Sequence, residues 1–235
     1  MPTCPVNTAP AVRDPRVIWG QSIPADAPVV GVNERCIEVP LGLEVARLDL
    51  PGRVLDAGCG LNGQLWATMR ASVYHVTLQV ASEMAYAHTT RPLSYLSADL
   101  RDLGMFTDRA FDATVCISTL EHIGLDNTVY GGLVETRPET MLKAFKELCR
   151  VTDRRVFVTV PYADPPVCHR DWRFFGPAAI GALTRMAERF YYQVERRFYA
   201  KTEGGWQGGG EIPIEASLDG FPETVNAIAC VRCTR

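Results

Sequence analysis

The 235-residue chain has no hydrophobic run long enough to cross a membrane, which takes about 20 predominantly apolar residues. Its first residues, Met-Pro-Thr-Cys-Pro, also lack the basic segment followed by an apolar one that is typical of a signal peptide. These two absences predict a cytoplasmic protein without a membrane partner.

Positive charge is not in excess. The chain has 24 Lys and Arg residues against 27 Asp and Glu residues, and its formal net charge is −3. A chain without a basic surplus has no general electrostatic attraction for nucleic acid or for anionic membranes. We therefore expect a small-molecule substrate and no nucleic-acid partner, and the oligomeric state is left open.

A metal-binding cysteine pattern is also missing. Cys230 and Cys233 form a CxxC pair, but no second pair and no nearby histidine accompany it, whereas a structural zinc ion needs four such ligands. The other cysteines are scattered, with Cys59 in a glycine-rich turn and Cys116 in an apolar run. This placement is typical of reduced and largely buried thiols.

The chain contains neither internal repeats nor a sustained low-complexity tract, and 47% of its residues are hydrophobic. That composition and length suit one sizeable core. Residues 1–50 are rich in proline and are predicted to form an N-terminal arm or cap, with a short helix at about 41–48. Residues 51–235 are predicted to form one domain.

Within that domain, short apolar strands alternate with helix-length amphipathic stretches, which predicts an α/β fold with a parallel sheet covered by helices. Two strand-like runs near the end of the chain predict an antiparallel excursion. The predicted strands are 53–57, 73–79, 93–97, 111–117, 154–160, 192–199 and 225–231, and the predicted helices are 63–71, 82–90, 138–149 and 177–190.

Two long connections, at about 122–138 and 200–222, are candidate substrate loops. Structureless connections longer than about 12 to 15 residues in compact domains tend to be functional or disordered. The second connection is rich in glycine around Trp206. A lid that carries Trp206 and plain disorder are both open readings of it.

The most informative motif is Val-Leu-Asp-Ala-Gly-Cys-Gly-Leu-Asn-Gly at residues 54–63. An apolar strand ends at Asp56, and the glycines that follow allow unusual backbone angles and a close approach to a ligand. Gly58, Gly60 and Gly63 also fit the Gly-x-Gly-x-x-Gly spacing of dinucleotide-binding proteins. The motif alone therefore leaves open a dinucleotide site, another ligand site or a bare turn.

Polar or small residues follow each of the first five predicted strands. In open α/β sheets, ligands bind in the crevice beyond the carboxyl ends of the strands. The joint placement of these residues along one edge predicts a ligand-binding cleft. The groups are Asp56–Gly60, Gln79, Asp99, Ser118–His122 and Pro161–Tyr162.

Four segments of the chain carry recognisable motifs: Asp-Ala-Gly-Cys-Gly at 56–60, Ala-Asp-Leu-Arg-Asp-Leu at 98–103, the Phe-Asp strand ending in Leu-Glu-His at 111–124, and Thr-Val-Pro-Tyr at 159–162. Together they resemble the motifs of class I S-adenosylmethionine-dependent methyltransferases. The resemblance covers about residues 50–165. It implies a Rossmann-like, seven-stranded, mostly parallel sheet with an antiparallel last strand and helices on both faces. It also implies S-adenosylmethionine as the cofactor.

The resemblance implies roles for particular residues, and the chain departs from the family's pattern at one of them. After the second strand the family usually has an acid that binds the ribose hydroxyls, whereas this chain has Gln79 or Val80, with Glu83 as a possible substitute. The implied cofactor-binding residues are Asp56, Gly58, Cys59 and Gly60 for the methionine portion, Gln79 for the ribose, Asp99 and Leu100 for the adenine, and Ser118 near the transferred methyl group.

His122 and His169 are the candidate general bases, since a histidine with an ordinary pKa can accept the proton of a hydroxyl acceptor. Tyr162 and Trp206 are candidate walls of the substrate site. A structural turn, a solvated loop and core packing remain as alternative roles. Some relatives bind a metal through Glu-x-x-Glu-His, but Ser118 occupies the first glutamate position, so no metal is predicted.

These residues predict a methyltransferase that acts on a small-molecule acceptor, a natural product or a sugar, by O- or N-methylation. A similar segment also precedes the domain in bacterial members that act on such substrates, and its counterpart here is Glu-Arg-Cys-Ile-Glu-Val-Pro at 34–40. Two alternatives remain open: a noncatalytic binding protein of the same fold, and a dinucleotide-dependent oxidoreductase.

Overall fold

A computed structural model describes residues 34–46, 52–61, 72–77, 93–128, 134, 136–209 and 225–235. Several sequence predictions fall outside these residues. They are the helices at 63–71 and 82–90, the ribose candidate Gln79, and parts of the two long connections.

The described residues form one eight-stranded sheet with the strand order β3-β2-β1-β4-β5-β8-β6-β7. Strands β1 to β5 pair in parallel, whereas β8 runs antiparallel to both β5 and β6. The strands are β1 (Arg53–Ala57), β2 (Ser72–Thr77), β3 (Leu93–Ser97), β4 (Phe111–Ile117), β5 (Thr152–Pro161), β6 (Gln193–Thr202), β7 (Gly205–Gly209) and β8 (Ala227–Thr234).

The prediction of a Rossmann-like α/β fold is confirmed, but the sheet has eight strands and not seven. The additional strand is β7, which forms a hairpin with β6. Its sequence is Gly-Trp-Gln-Gly-Gly, and glycine-rich segments are disfavoured in strands. The prediction of a loop at 200–222 is therefore wrong for residues 200–202, which belong to β6, and for residues 205–209. Residues 210–224 lie outside the described part of the chain.

Three α-helices are described: α1 (Arg35–Ala46), α2 (Met141–Val151) and α3 (Pro177–Arg189). Helix α3 begins at a proline that follows a glycine, as the sequence predicts, because proline lacks only an N–H that the first turn does not use. Helix α1 begins six residues before the predicted helix, at Arg35. Because α1 packs on β4 and β5, this part of the predicted arm belongs with the sheet.

The helices cover the sheet on two sides and produce two hydrophobic clusters. Helices α2 and α3 contribute residues such as Phe145 and Leu183 to the larger cluster. Helix α1 contributes Ile37 and Leu43 to the smaller one. Apolar residues three or four positions apart lie on one helix face, so each helix presents a continuous stripe to the sheet.

The CxxC pair lies in β8, where both thiols are buried. Cys233 belongs to the cluster under α2 and α3, whereas Cys230 belongs to the cluster under α1. The two sulfur atoms thus lie on opposite faces of the sheet and cannot bind a common metal ion. Among the described residues, no group of three or more histidine, cysteine or acidic side chains could hold a metal.

Arg173, in the segment after β5, is hydrogen-bonded to the segment after β4. Its buried guanidinium donates hydrogen bonds to the backbone oxygens of Pro138 (2.7 Å), Glu121 (3.3 Å) and Ile123. A short 3-10 helix at Leu120–His122 and another at Pro138–Thr140 are thereby tied to one side chain. The predicted substrate connection at 122–138 is therefore anchored at both ends.

Arg173→Met is expected to reduce the free energy of unfolding by about 2–4 kcal/mol, because three buried carbonyl oxygens would lose their donor. Urea denaturation measures this loss. Arg154→Met is the matched control, since Arg154 is 57% exposed and forms surface ion pairs with Asp112 and Asp153, each worth about 0–1 kcal/mol. Equal losses in the two variants would contradict the anchoring role.

Candidate cofactor and acceptor site

The carboxyl ends of five parallel strands meet at one edge of the sheet. Asp56 in β1 lies opposite Val115 in β4, and Ile117 at the end of β4 lies opposite Thr159 in β5. On the other side, Ala57 pairs with β2 and the end of β2 pairs with Ser97 of β3. The glycine turn, the residues after β3 and the residues after β4 therefore share this edge.

The glycine turn is closed by the side chain of Asp56. This carboxylate has 0% exposure, and its two oxygens accept the N–H of Leu61 at 3.3 and 3.2 Å. Both oxygens of Asp56 are thus engaged within the protein, since they share the N–H of Leu61. The structure therefore corrects the predicted role of Asp56, which shapes the turn and does not face a cofactor.

The glycines of this turn are required by a close approach to the end of β4. Gly58 has φ +90°, and a Cβ atom there would lie 2.2 Å from Oγ1 of Thr119. A Cβ at Gly60 would lie 2.6 Å from the Cβ of Ile117. The space that a side chain at Gly58 would occupy is thus filled by protein. Gly58, Cys59 and Gly60 themselves remain half-buried, so their backbone keeps an accessible surface.

After β3, Asp99 is the accessible group of the predicted adenine pair. It accepts hydrogen bonds from the backbone and side chain of Arg101, with the shortest at 2.6 Å. Burial acts to raise the pKa of Asp99, but the hydrogen bonds and charge of Arg101 outweigh it and lower the pKa below its ordinary value. Leu100 is fully buried in the larger cluster, so the predicted role of Leu100 beside the adenine is corrected to core packing of its side chain.

Ser118 joins the end of β4 to helix α1. Its N–H donates to the backbone oxygen of Thr159 at 3.1 Å, and its hydroxyl donates to Oε1 of Glu38 at 2.7 Å. Glu38 also accepts a hydrogen bond from Nη1 of Arg35 at 2.7 Å. Sequence reasoning missed Glu38 and Arg35 as parts of this edge, and the only signal was the segment at 34–40.

Glu121 lies on the short helix after β4, and the sequence pointed to it only as part of an incomplete Glu-x-x-Glu-His metal motif. It is 3% exposed, and its Oε2 atom has no hydrogen-bond partner among the described residues. Burial raises the pKa of Glu121 to about 8. The carboxylates of Glu38 and Glu34 act in the same direction, against a backbone hydrogen bond and the charge of Arg35.

His122 has a geometry that suits a general base. Its Nδ1 lies 2.8 Å from the backbone oxygen of Asp171, and because a carbonyl can only accept, the proton belongs on Nδ1. In the neutral ring the acceptor is then Nε2. Burial lowers the pKa of His122 below its ordinary value, so the ring is neutral near pH 7.

His169 lies in the turn that also holds Asp171, and this turn is closed by a bridge between Cys168 and Arg173. Its ring stacks on Trp172 with a centroid distance of 4.5 Å. Its Nε2 atom is buried and has no hydrogen-bond partner among the described residues. The two candidate bases are therefore connected through one turn, and Trp172 is an aromatic group there that sequence reasoning did not select.

Tyr162 and Trp206, the predicted walls of the substrate site, are both packed in the core. The Tyr162 ring contacts Phe198 with a centroid distance of 4.7 Å. Trp206 lies in β7 with 0% exposure and belongs to the cluster under α1. Neither side chain presents a surface to a substrate, so both assignments are corrected.

Comparison with known proteins gives a family and a fold. The family described as "Methyltransferase domain" matches residues 55–158. No curated protein matches the chain. None of the described helices is long and apolar enough to span a bilayer.

Solved structures with a similar fold include three methyltransferases. One from Archaeoglobus fulgidus has a TM-score of 0.55 and 12% identity, covering 85% of this chain and 93% of its own. Another from Methanosarcina mazei has a TM-score of 0.52 and 12% identity, covering 82% and 96%. The 1,6-didemethyltoxoflavin N1-methyltransferase of Burkholderia thailandensis, solved with 1,6-didemethyltoxoflavin and S-adenosylhomocysteine, has a TM-score of 0.52 and 14% identity, covering 83% and 74%.

The family match also decides between the cofactors that the glycine spacing left open, since the matched segment contains both the glycine turn and the end of β4. The strand order of the sheet agrees with it. Residues 55–158 therefore match a methyltransferase domain, and S-adenosylmethionine is the cosubstrate that this match supports.

Proposed function

We propose that the protein transfers a methyl group from S-adenosylmethionine to the oxygen or nitrogen of a small molecule, a natural product or a sugar. The observation that carries this proposal is the placement of the glycine turn, Asp99, Ser118 and His122 at one edge of the sheet. The absence of a basic surplus favours a small acceptor over nucleic acid. The Burkholderia enzyme, which has the same fold, acts on a small heterocycle.

The residues at this edge fit the cosubstrate in their chemistry. The half-buried backbone of Gly58, Cys59 and Gly60 keeps an accessible surface for the methionine portion. Asp99 is half-buried and retains a charged carboxylate that can accept hydrogen bonds near the adenine. Ser118 offers a hydroxyl beside the glycine turn. When bound, S-adenosylmethionine supplies an electrophilic methyl group, and the protein's own contribution is mainly alignment.

On the acceptor side, His122 would take the proton of a hydroxyl acceptor at Nε2. The hydrogen bond from Nδ1 to the backbone oxygen of Asp171 fixes the tautomer and the orientation of the ring. His169 and Trp172, stacked in the same turn, would contact the acceptor. This arrangement holds a base next to an aromatic surface without using Tyr162 or Trp206.

His122→Gln is expected to lower kcat by about 10²–10⁴-fold, the usual contribution of a positioned general base, and to leave the Kd of S-adenosylhomocysteine unchanged. Since burial lowers the pKa of His122, the wild-type rate should fall only when the pH drops below the ordinary histidine range. Formation of S-adenosylhomocysteine measures both effects, with His169→Gln as the comparison. An unchanged kcat would remove His122 from the mechanism.

Gln79→Glu is expected to tighten S-adenosylmethionine binding by about ten-fold, because a carboxylate makes stronger hydrogen bonds to ribose hydroxyls than a neutral amide. This proposal rests on the sequence position of Gln79 after the second strand. Calorimetric titration of both proteins measures the change. Equal affinities would assign the ribose contact to another residue.

The experiment that tests the proposed function is incubation of the full chain with methyl-labelled S-adenosylmethionine and a panel of sugars, phenols and amines. The expected result is labelled product together with one equivalent of S-adenosylhomocysteine. Binding of the cosubstrate without transfer to any member of the panel would contradict the small-molecule assignment.

A further inference from the structure

Three carboxylates gather where helix α1 meets the end of β4. Glu34 and Glu38 lie at the start of α1, and Glu121 lies three residues after Ser118. The charges of Glu34 and Glu38 are close enough to act on the pKa of Glu121. We call these three residues the α1–β4 carboxylate cluster. Arg35 forms an ion pair with Glu38 at 2.7 Å, and Lys201 and Arg173 are further cations whose charges interact with Glu34 and Glu121.

Two oxygens of this cluster have no donor among the described residues. They are Oε2 of Glu121 and Oε2 of Glu34, and both atoms are buried. Buried polar atoms are almost always hydrogen-bonded, because leaving them unpaired costs free energy. Only 3% of the surface of Glu121 is exposed. An unpaired carboxylate oxygen at this depth is explained by a donor that the described residues do not supply.

The location of the cluster indicates what that donor is. Glu38 accepts the hydroxyl of Ser118, and Thr119, the next residue, contacts the glycine turn at Gly58. The cluster therefore adjoins the edge at which methyl transfer is proposed. No group of the described residues is arranged to hold a metal ion, whereas an ammonium group, with three rotating N–H donors, suits acceptors that are spread over several side chains.

We propose that the α1–β4 carboxylate cluster binds the ammonium group of the methyl acceptor, so that the protein is an N-methyltransferase of small amines. This inference rests on the proposed function and narrows its acceptor to one chemical class. In the reaction, Oε2 of Glu121 takes one proton from the ammonium group, and the electron pair of that N–H bond stays on nitrogen. The nitrogen then forms a bond to the methyl group while the S–CH₃ bond breaks and its pair stays on sulfur, giving a methylated ammonium and S-adenosylhomocysteine.

The electrostatics of Glu121 support this proton transfer. Burial raises the pKa of Glu121 to about 8, which is nearer to the pKa of an alkylammonium group than that of an ordinary carboxyl. A base whose pKa approaches that of the donor takes the proton with a smaller free-energy difference. Because a carboxyl group accepts a proton only when it is ionised, Glu121 would serve an amine near and above pH 8, as His122 would serve a hydroxyl.

The test uses the full chain saturated with S-adenosylhomocysteine and titrated with matched pairs of compounds. The pairs are 2-phenylethylamine with 2-phenylethanol, cyclohexylamine with cyclohexanol, and glucosamine with glucose. The amine of at least one pair is expected to bind about ten-fold or more tightly than its alcohol, as charge-assisted hydrogen bonds predict. Glu121→Gln should abolish this preference.

Glu44→Gln is the matched control, because Glu44 is an exposed carboxylate of the same helix that pairs with Arg232 at 3.3 Å, and it should keep the preference. Glu34→Gln is a second variant of the cluster and should weaken the preference. No preference for any amine, or a preference that persists in Glu121→Gln, would overturn the proposal.

Two further outcomes separate this inference from the proposed function. If Glu121→Gln weakens S-adenosylhomocysteine itself by ten-fold and leaves the amines unaffected, the cluster serves the amino group of the cosubstrate and the proposal is wrong. If the wild-type protein binds no S-adenosylhomocysteine, the proposed function fails, whatever the amines do.

Discussion

Gly58→Val is expected to destabilise the protein by about 2–6 kcal/mol and to abolish cosubstrate binding. The residue has φ +90°, a conformation that costs a branched residue about 1–3 kcal/mol. The new Cβ would also lie 2.2 Å from Oγ1 of Thr119, and overpacking of this kind costs about 1–3 kcal/mol. Thermal and urea unfolding without ligand measure the loss of stability, and calorimetry measures the loss of binding.

The control is Gly204→Val, since a Cβ at Gly204 has no neighbour nearer than 3.9 Å and the residue does not have a positive φ. It should unfold like the wild type. A double variant, Gly58→Val with Thr119→Gly, removes the clash and leaves the backbone strain, so it should recover part of the lost stability. A Gly58→Val protein as stable as the wild type would show that the turn does not approach β4 as described.

Glu121→Gln is expected to stabilise the protein, with a gain that grows as the pH rises from about 5 to 8. In the folded chain the pKa of Glu121 is raised to about 8, against an ordinary value of 4.5. Between these values the folded chain holds a proton that the unfolded chain has released, so the wild-type free energy of unfolding falls as the pH rises. Glutamine has no such proton. The gap between the two proteins should widen by up to about 1.4 kcal/mol per pH unit.

Urea denaturation at several pH values measures this gap. The titratable and charged groups that interact with Glu121 are Glu34, Glu38, Arg35, Arg173 and Cys116, and they are the same in both proteins, so their titration largely cancels in the difference. Glu44→Gln, which removes an exposed carboxylate, should show a difference within about 0.5 kcal/mol at every pH. A gap for Glu121→Gln that does not change with pH would mean that Glu121 titrates like an exposed acid.

The strands that build the site could be predicted from the sequence because they are short, apolar and bounded by turn residues. Strands β1, β3 and β4 have the predicted bounds. Strand β7 could not be predicted, since its glycines carry no side chains that favour a strand. It forms because β6 offers an edge for pairing, with Trp206 opposite Lys201, and because the Trp206 ring is buried in the smaller hydrophobic cluster.

The edge of the sheet that carries the site could also be predicted, but not which way each side chain points. The motifs predicted that Asp56 and Leu100 lie beside the cosubstrate. In the structure the Asp56 side chain accepts a hydrogen bond from Leu61, and the Leu100 side chain is buried in the core. The contact between Ser118 and Glu38 joins residues 80 positions apart. Local patterns carry no information about such a pair, which depends on how α1 docks on β4.

The central claim, that the edge at the carboxyl ends of β1 to β5 binds S-adenosylmethionine, is tested most directly by calorimetric titration of the full chain with S-adenosylhomocysteine. One-to-one binding is expected, and it should be lost in Gly58→Val and retained in Gly204→Val. Absence of heat up to millimolar ligand, or a response to NAD or NADP alone, would contradict it.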